Sequence, residues 1–374
     1  MNASCRWRTG TSTFRISMSA EEDTSCGMWV LPKGRFSVET IGVVHGREKM
    51  ASSEAKHPTK PISAFSCELE DWFHILDSDH IPTIDAWPGL PLHAEKSVDR
   101  LLDLLEENGA KATFFCLGWM AERMPEVVRR CWRAGHEIAS HGYGHVLAYQ
   151  VGRQGYWDDI VRAKKILEDL IGEEVVGFRS PGFCVKEENR WVFDVVAQAG
   201  YRYDASVFPA RHAHGGLRQA EPGPHVIATE SGPLVEIPTS TVNWMGRRVC
   251  LFGGGYLRIA PLPLIRWGIR RLYRQGQPLI VYMHPREIDP SHPRLPLPLM
   301  RRFKCYVNLC STLPKLQWLC AHHGFVTMRT LAERVGRGIE RRPVAEIEGR
   351  QPGPGLVEIG RRTRPASAEQ VPST

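Results

Sequence analysis

From residue 62 to about residue 328 the chain repeats one rhythm: a short apolar run, a polar or turn-forming cluster, an amphipathic stretch at helical spacing, then another apolar run. No other feature limits the fold so strongly. Parallel strands cannot be joined by tight hairpins and need crossovers of about a dozen residues or more, usually helical. The run 62–67 opens the pattern after Pro61. Leu101, Leu102, Leu104 and Leu105 then form an apolar stripe, Gly109 after Asn108 supplies a stop, and 112–117 reads as a buried strand. Pro125 opens the next helix, which carries Val127, Val128 and Trp132 and ends at Gly135 before the strand-like 136–139. Ile160, Ala163, Ile166, Leu167 and Leu170 make a third helix, ended by Gly172 and followed by a strand over 175–178. A fourth cycle runs from Trp191 through Ala199 to Tyr203.

Beyond Asp204 the pattern loosens, with strands expected over 225–228 and 234–237. It returns in a basic amphipathic stretch over 264–273, an apolar run over 279–283, a helix through Leu319 and a strand over 325–328. This number of βα units predicts an α/β protein, a distorted or incomplete (β/α) barrel.

The flanks lack this rhythm. Residues 1–60 mix Ser, Thr, Gly and charges without a period and read as a disordered arm; Met50, followed by Ala51, Ser52 and Ser53, offers an alternative start. Residues 337–374 read as a disordered tail containing Pro352, Gly353, Pro354 and Gly355. The formal charge of +7 does not point to nucleic acid, because Arg337, Arg341, Arg342, Arg361, Arg362 and Arg364 lie in that tail beside Glu340, Glu346 and Glu348. Of ten cysteines, Cys67 and Cys116 fall in strand-like runs and Cys131 in a helical pattern, and there is no CxxC pair. Buried free thiols and a reducing compartment are expected. No apolar run approaches the roughly 18 residues of a membrane span and no signal-peptide pattern occurs, so a cytoplasmic location is the default, with export by another route left open. The sequence does not indicate an oligomeric state.

Polar residues cluster where the predicted strands end. In a (β/α) barrel those ends form one face, on which side chains from several strands converge. Glu68, Glu70 and Asp71 follow the first strand, and three carboxylates so close call for a cation or a raised pKa. His141 and His145 follow the strand 136–139 in a loop with Gly142 and Gly144; they read as a ligand pair or as a surface pair. Two histidines and a carboxylate would leave open coordination positions, the catalytic pattern. Arg179, Asp204 and His284 end later strands, and each alone also reads as a surface cation, a turn residue or a capped core histidine.

In order along the chain, the segments ELEDWFH, SHGYGH, FRSPGF, GYRYDASVFP and YMHPREIDP resemble the motifs of the polysaccharide deacetylase family, carbohydrate esterases sharing the NodB homology domain. The resemblance covers about residues 61–335 and is nearest to the branch associated with exosortase and exopolysaccharide gene clusters. It implies a catalytic domain over 61–290 and a C-terminal extension over 291–336 packed on the barrel. It implies that Glu70, His141 and His145 hold a divalent cation, with Asp71 as the alternative carboxylate; zinc is expected first, and cobalt or nickel would also suit the donor set. Where the family has an Asp as general base, this chain has Glu68. The resemblance further implies that Arg179 aims Glu68, that Asp204 sets the tautomer of His284, and that His284 protonates the leaving group from across the metal. Gly182 would offer a backbone N–H to the oxyanion, and Tyr143, Pro181 and Phe183 would contact substrate. The implied reaction is removal of N- or O-acetyl groups from a bacterial polysaccharide or oligosaccharide. The rival readings are an inactive barrel that grips sugar through Trp72, Tyr143, Phe183 and Trp244, and an amidohydrolase acting on a small N-acyl compound.

Overall fold

The computed structural model describes residues 3–9, 12–18, 61–76 and 82–340. The chain divides into two units, Met1–His57 and Pro58–Thr374. In the first, β1 (Ala3–Thr9) and β2 (Ser12–Met18) pair antiparallel, where composition predicted an arm without strand period.

The second unit alternates as the sequence requires. It runs β3 (Ser63–Leu69), α1 (Ala94–Glu107), β4 (Thr113–Cys116), α2 (Gly118–Arg123), α3 (Pro125–Arg133), β5 (Glu137–Ser140), α4 (Ala148–Ile171), β6 (Gly177–Phe178), α5 (Trp191–Gln198) and β7 (Tyr203–Asp204). Then follow β8 (His225–Thr229), β9 (Gly232–Glu236), β10 (Thr241–Trp244), β11 (Arg247–Cys250), α6 (Gly254–Ile259), α7 (Leu262–Arg274) and β12 (Ile280–Met283). The described chain closes with α8 (Leu299–Tyr306), α9 (Thr312–His322), β13 (Phe325–Val326) and α10 (Met328–Glu340).

The main sheet has the order β12-β3-β4-β5-β6-β7-β9-β8, with β13 also on β3. Every pairing is parallel except β8 with β9, and β12 and β8 end the path unjoined, so the sheet is a curled half-barrel rather than a closed ring. β3 lies inside the sheet and is buried at every position. Its alternate residues part as the pleat demands. Phe65, Cys67 and Leu69 pack outward with the helices, whereas Ala64 joins Phe115, Ala139, Tyr203 and Ile280 in the inner core. Ser66 and Glu68 share the inner face, and Arg179, just after β6, reaches both across the curl.

α10 was not expected: the sequence suggested a strand to 328 and disorder from 337. Met328, Leu331 and Ala332 fill the inner core, and the first turn is capped from afar. The Thr113 hydroxyl accepts from the Met328 amide at 2.7 Å and the Glu137 carboxylate from the Arg329 amide at 2.9 Å. Both acceptors begin their strands, so α10 closes the end of the half-barrel opposite the strand carboxyl ends. Cys67, Cys116 and Cys131 are buried free thiols, and burial pushes Cys131 up to about 12.

Candidate active site

Glu68 is the penultimate residue of β3, and its two oxygens face different cations. Oε1 accepts from Arg179 Nη1 at 3.0 Å; Oε2 lies 3.0 Å from His284 Nε2 at the end of β12. Arg179 is fully buried and held further by Ser66 Oγ at 2.9 Å and the Ala205 carbonyl at 3.1 Å. Burial opposes ionisation of Glu68, yet His284 first, then His141 and Arg179, bring its carboxyl down to about 2. Burial and Arg286 act to lower the His284 imidazole, but Glu70, Glu68 and Glu287 outweigh them and raise it to about 9. The result is an ionised carboxylate in contact with an imidazolium.

One residue past β3, Glu70 turns toward the loop after β5. Its Oε1 lies 3.3 Å from His141 Nε2 and 3.0 Å from His145 Nε2, and its Oε2 accepts from Arg286 at 2.9 Å. His141 Nδ1 is 2.7 Å from the Arg179 carbonyl. A carbonyl only accepts, so His141 Nδ1 donates to it, and Nε2 is the ring nitrogen turned to the Glu70 carboxylate. Both Nε2 atoms are buried without a hydrogen-bond partner, and with Glu70 their donor atoms lie within 4.8 Å of one another, which suits a divalent cation.

The loop carrying these histidines is pinned by Asp159 on α4, whose oxygens accept from the Tyr143 and Gly144 amides at 2.8 Å each. Gly142 has φ +75°, and a Cβ there would come within 2.5 Å of Asp159 Oδ2. The glycine is therefore required by backbone geometry and by space together.

Three expectations are corrected. The Asp71 carboxylate accepts from the Trp72 amide at 2.7 Å and, across 20-odd residues, from the His93 and Ala94 amides at 2.7 and 3.1 Å. It caps the start of α1 and, among the described residues, belongs to neither group of side chains that could hold a cation. Asp204 does not touch His284. It accepts from Ser206 Oγ at 2.5 Å and faces Glu236, its register partner on β9. Burial raises both carboxyls, Glu236 well above the usual range with Asp204 adding to the rise, and one proton between Asp204 Oδ2 and Glu236 Oε2 would satisfy both. The group beside His284 is Glu287, whose Oε2 lies 3.6 Å from His284 Nδ1 and accepts from its amide at 3.1 Å. Arg258 on α6 pairs with the other Glu287 oxygen. Finally, His284 lies against Glu68 rather than across the site from it.

A cavity of about 400 Å³ opens over these groups, within the usual range of small-molecule sites. Of the substrate contacts expected from the sequence, Gly182 and Phe183 line it, and Tyr143 and Pro181 do not. The Tyr143 hydroxyl bonds to Glu122 at 2.9 Å and its ring lies under Arg162, so it belongs to the outer surface of the loop. Trp72 and Trp244 are also outside the lining, which instead includes residues the sequence reading gave no role: His212, Tyr256, Arg258, Tyr282, Arg286 and Glu287. Tyr282, Arg286 and Glu287 could have been found, since they share the segment YMHPREIDP with His284. His74 and His292 compete poorly as acids. His74 accepts from the Asp71 amide at 2.8 Å, and burial first, then His145, lowers its imidazole well below the usual value. His292 bonds to the Asp289 carbonyl at 2.6 Å, outside the cavity.

These features define a class: a (β/α) half-barrel with a candidate metal site and a buried carboxylate–imidazole pair at its strand carboxyl ends. Residues 81–203 match the family model described as polysaccharide deacetylase, and residues 205–333 match a domain of unknown function, DUF3473. Residues 81–203 thus carry a polysaccharide deacetylase domain. Among curated relatives, a peptidoglycan-N-acetylglucosamine deacetylase of Bacillus cereus is 34% identical over 103 residues, covering 28% of this chain and 46% of the relative. A peptidoglycan deacetylase of Helicobacter pylori is 26% identical over 113 residues, or 30% and 38% of the two chains. The chain thus spans less than half the length of the curated relatives it matches. Among solved structures, a Mycobacterium smegmatis protein provisionally described as a polysaccharide deacetylase superposes with TM-score 0.53 at 22% identity, covering 77% of this chain and 96% of that one. The PuuE allantoinase does so with TM-score 0.52 at 17% identity, covering 80% and 100%. Both share the fold.

Proposed function

We propose that this protein is a metal-dependent hydrolase that removes acetyl groups, N- or O-linked, from a bacterial polysaccharide or its precursor, within exopolysaccharide biosynthesis. The observation that carries this reading is the single Glu68 carboxylate bridging Arg179 and His284 beside the Glu70, His141 and His145 cluster. Zinc is the ion proposed for that cluster, and when bound it would supply Lewis acidity toward the acetyl carbonyl and a water. Glu68, ionised and held by Arg179, takes the water's proton. The Gly182 amide, on the cavity wall, donates to the oxygen on which charge develops. His284, in its imidazolium form, gives a proton to the departing amine or alkoxide from Nε2. Its contact with Glu68 then returns the water's proton to the imidazole, so both groups regain their starting state. Glu287 and Arg258 position His284 from behind.

The domain layout that accompanies this reading is a catalytic domain over 61–290 and an extension over 291–336. Acetate release from a panel of N- and O-acetylated glycans, with and without chelator, tests it. Chelator-sensitive release supports the reading. No release from any acetylated glycan, with turnover of a small N-acyl compound instead, would replace it by the amidohydrolase alternative.

A further inference from the structure

The charges lining the cavity do not balance. Glu68, Glu70 and Glu287 each face a cation: Arg179 and His284, Arg286, and Arg258 respectively. Two further cations line the same cavity, Arg301 and Lys304, both on α8. Among the described residues neither has a carboxylate within ion-pair distance. Lys304 is exposed. Arg301 is half-buried, spends one guanidinium nitrogen on the Leu76 carbonyl, and leaves its Nε buried with no hydrogen-bond partner.

A buried donor without an acceptor is costly, and a guanidinium is the side chain best matched to a carboxylate or a phosphate. A neutral sugar would leave this excess of positive charge uncompensated. Ile75, Leu76, Tyr256 and Ile259 line the same cavity, so a ligand that fits has apolar faces for a ring and one oxyanion for the cations.

We propose that Arg301 and Lys304 form an anion subsite that selects glycans carrying a carboxylate or a phosphate close to the acetylated sugar. The proposal rests on the deacetylase reading for the word glycan, and on the cavity's own charges for the anion. Through α8, the C-terminal extension then supplies the charge selectivity of the site.

Equilibrium binding by calorimetry to the full-length protein tests this with three acetylated oligosaccharides of equal length, one neutral, one containing a uronate and one carrying a sugar phosphate. At least one charged probe is expected to bind about tenfold tighter than the neutral one, the scale of charge-assisted hydrogen bonds, and the gap is expected to shrink as salt is raised. Which charged probe gains identifies the source of the oxyanion. In Arg301→Gln and in Lys304→Gln the gap should narrow; the second variant changes an exposed side chain and remains informative if the first fails to fold. Equal affinity for all three probes, or a gap unchanged in the folded variants, overturns the proposal. Because binding is read without turnover, a charge preference in the absence of acetate release would sink the deacetylase reading and leave the subsite standing.

Discussion

Shortening Glu68 to Asp, the residue the family resemblance leads one to expect there, should damage this protein. Glu68 Oε1 and Oε2 each make a 3.0 Å contact, to Arg179 and His284. Removing one methylene retracts the carboxylate by up to about 1.5 Å. β3 cannot follow, since it is buried throughout and paired with β12 on one side and β4 on the other. Both contacts then fall outside hydrogen-bond range, and Arg179 keeps only Ser66 Oγ and the Ala205 carbonyl. Loss of a charge-assisted bond to a fully buried guanidinium costs about 1–3 kcal/mol. Displacing a catalytic base by about 1 Å costs roughly a hundredfold in turnover. Acetate-release kinetics and thermal melts on Glu68→Asp read both effects. Turnover within about threefold of wild type, or above it, together with an unchanged melting temperature, would refute the claim that this site is built around the longer side chain.

His284→Ala is expected to lower turnover by about a hundredfold to ten-thousandfold with metal content unchanged; near-normal turnover would move the acid role elsewhere. His141→Ala and His145→Ala should each weaken divalent-ion affinity by about a hundredfold or more in a competition titration, while Asp71→Asn should leave it intact and lower the melting temperature instead. For Glu287, burial opposes ionisation, but Arg258 first and then His284 hold its carboxyl at about 2 against an ordinary 4.5. A depressed carboxyl stabilises the fold above its unfolded value and loses that contribution as pH falls. Glu287 should therefore contribute about 3 kcal/mol above pH 4.5, lost between there and about 2, and denaturant midpoints of Glu287→Gln should show a correspondingly shallower acid limb. An acid limb identical to wild type would remove Glu287 from the buried ion network.

The half-barrel was legible because its signals are local: apolar runs separated by amphipathic stretches, with Gly109, Gly135 and Gly172 as stops, fall on α1, α3, α4 and the strands between them. The same locality placed Glu68, Glu70, His141, Arg179 and His284 at one end of successive strands, because a residue that ends a parallel strand ends it on the common face. Local patterns fail where a side chain's partner is far along the chain. Asp71 and Glu70 are neighbours in sequence, and only the arrival of the α1 N-terminus, 22 residues on, draws one carboxylate away while the other turns to the histidines. Asp204 and His284 both end strands, yet pairing between β7 and β9 commits Asp204 to Glu236. α10 resembles a polar tail until Thr113 and Glu137, some 200 residues earlier, cap its first turn and the inner core takes its apolar face. The sequence by itself determined the alternation of elements and which end of the sheet carries the polar residues. Tertiary structure decided which of those residues face one another, because burial leaves each charge and each hydrogen-bonding group to find its partner among whatever the fold brings near.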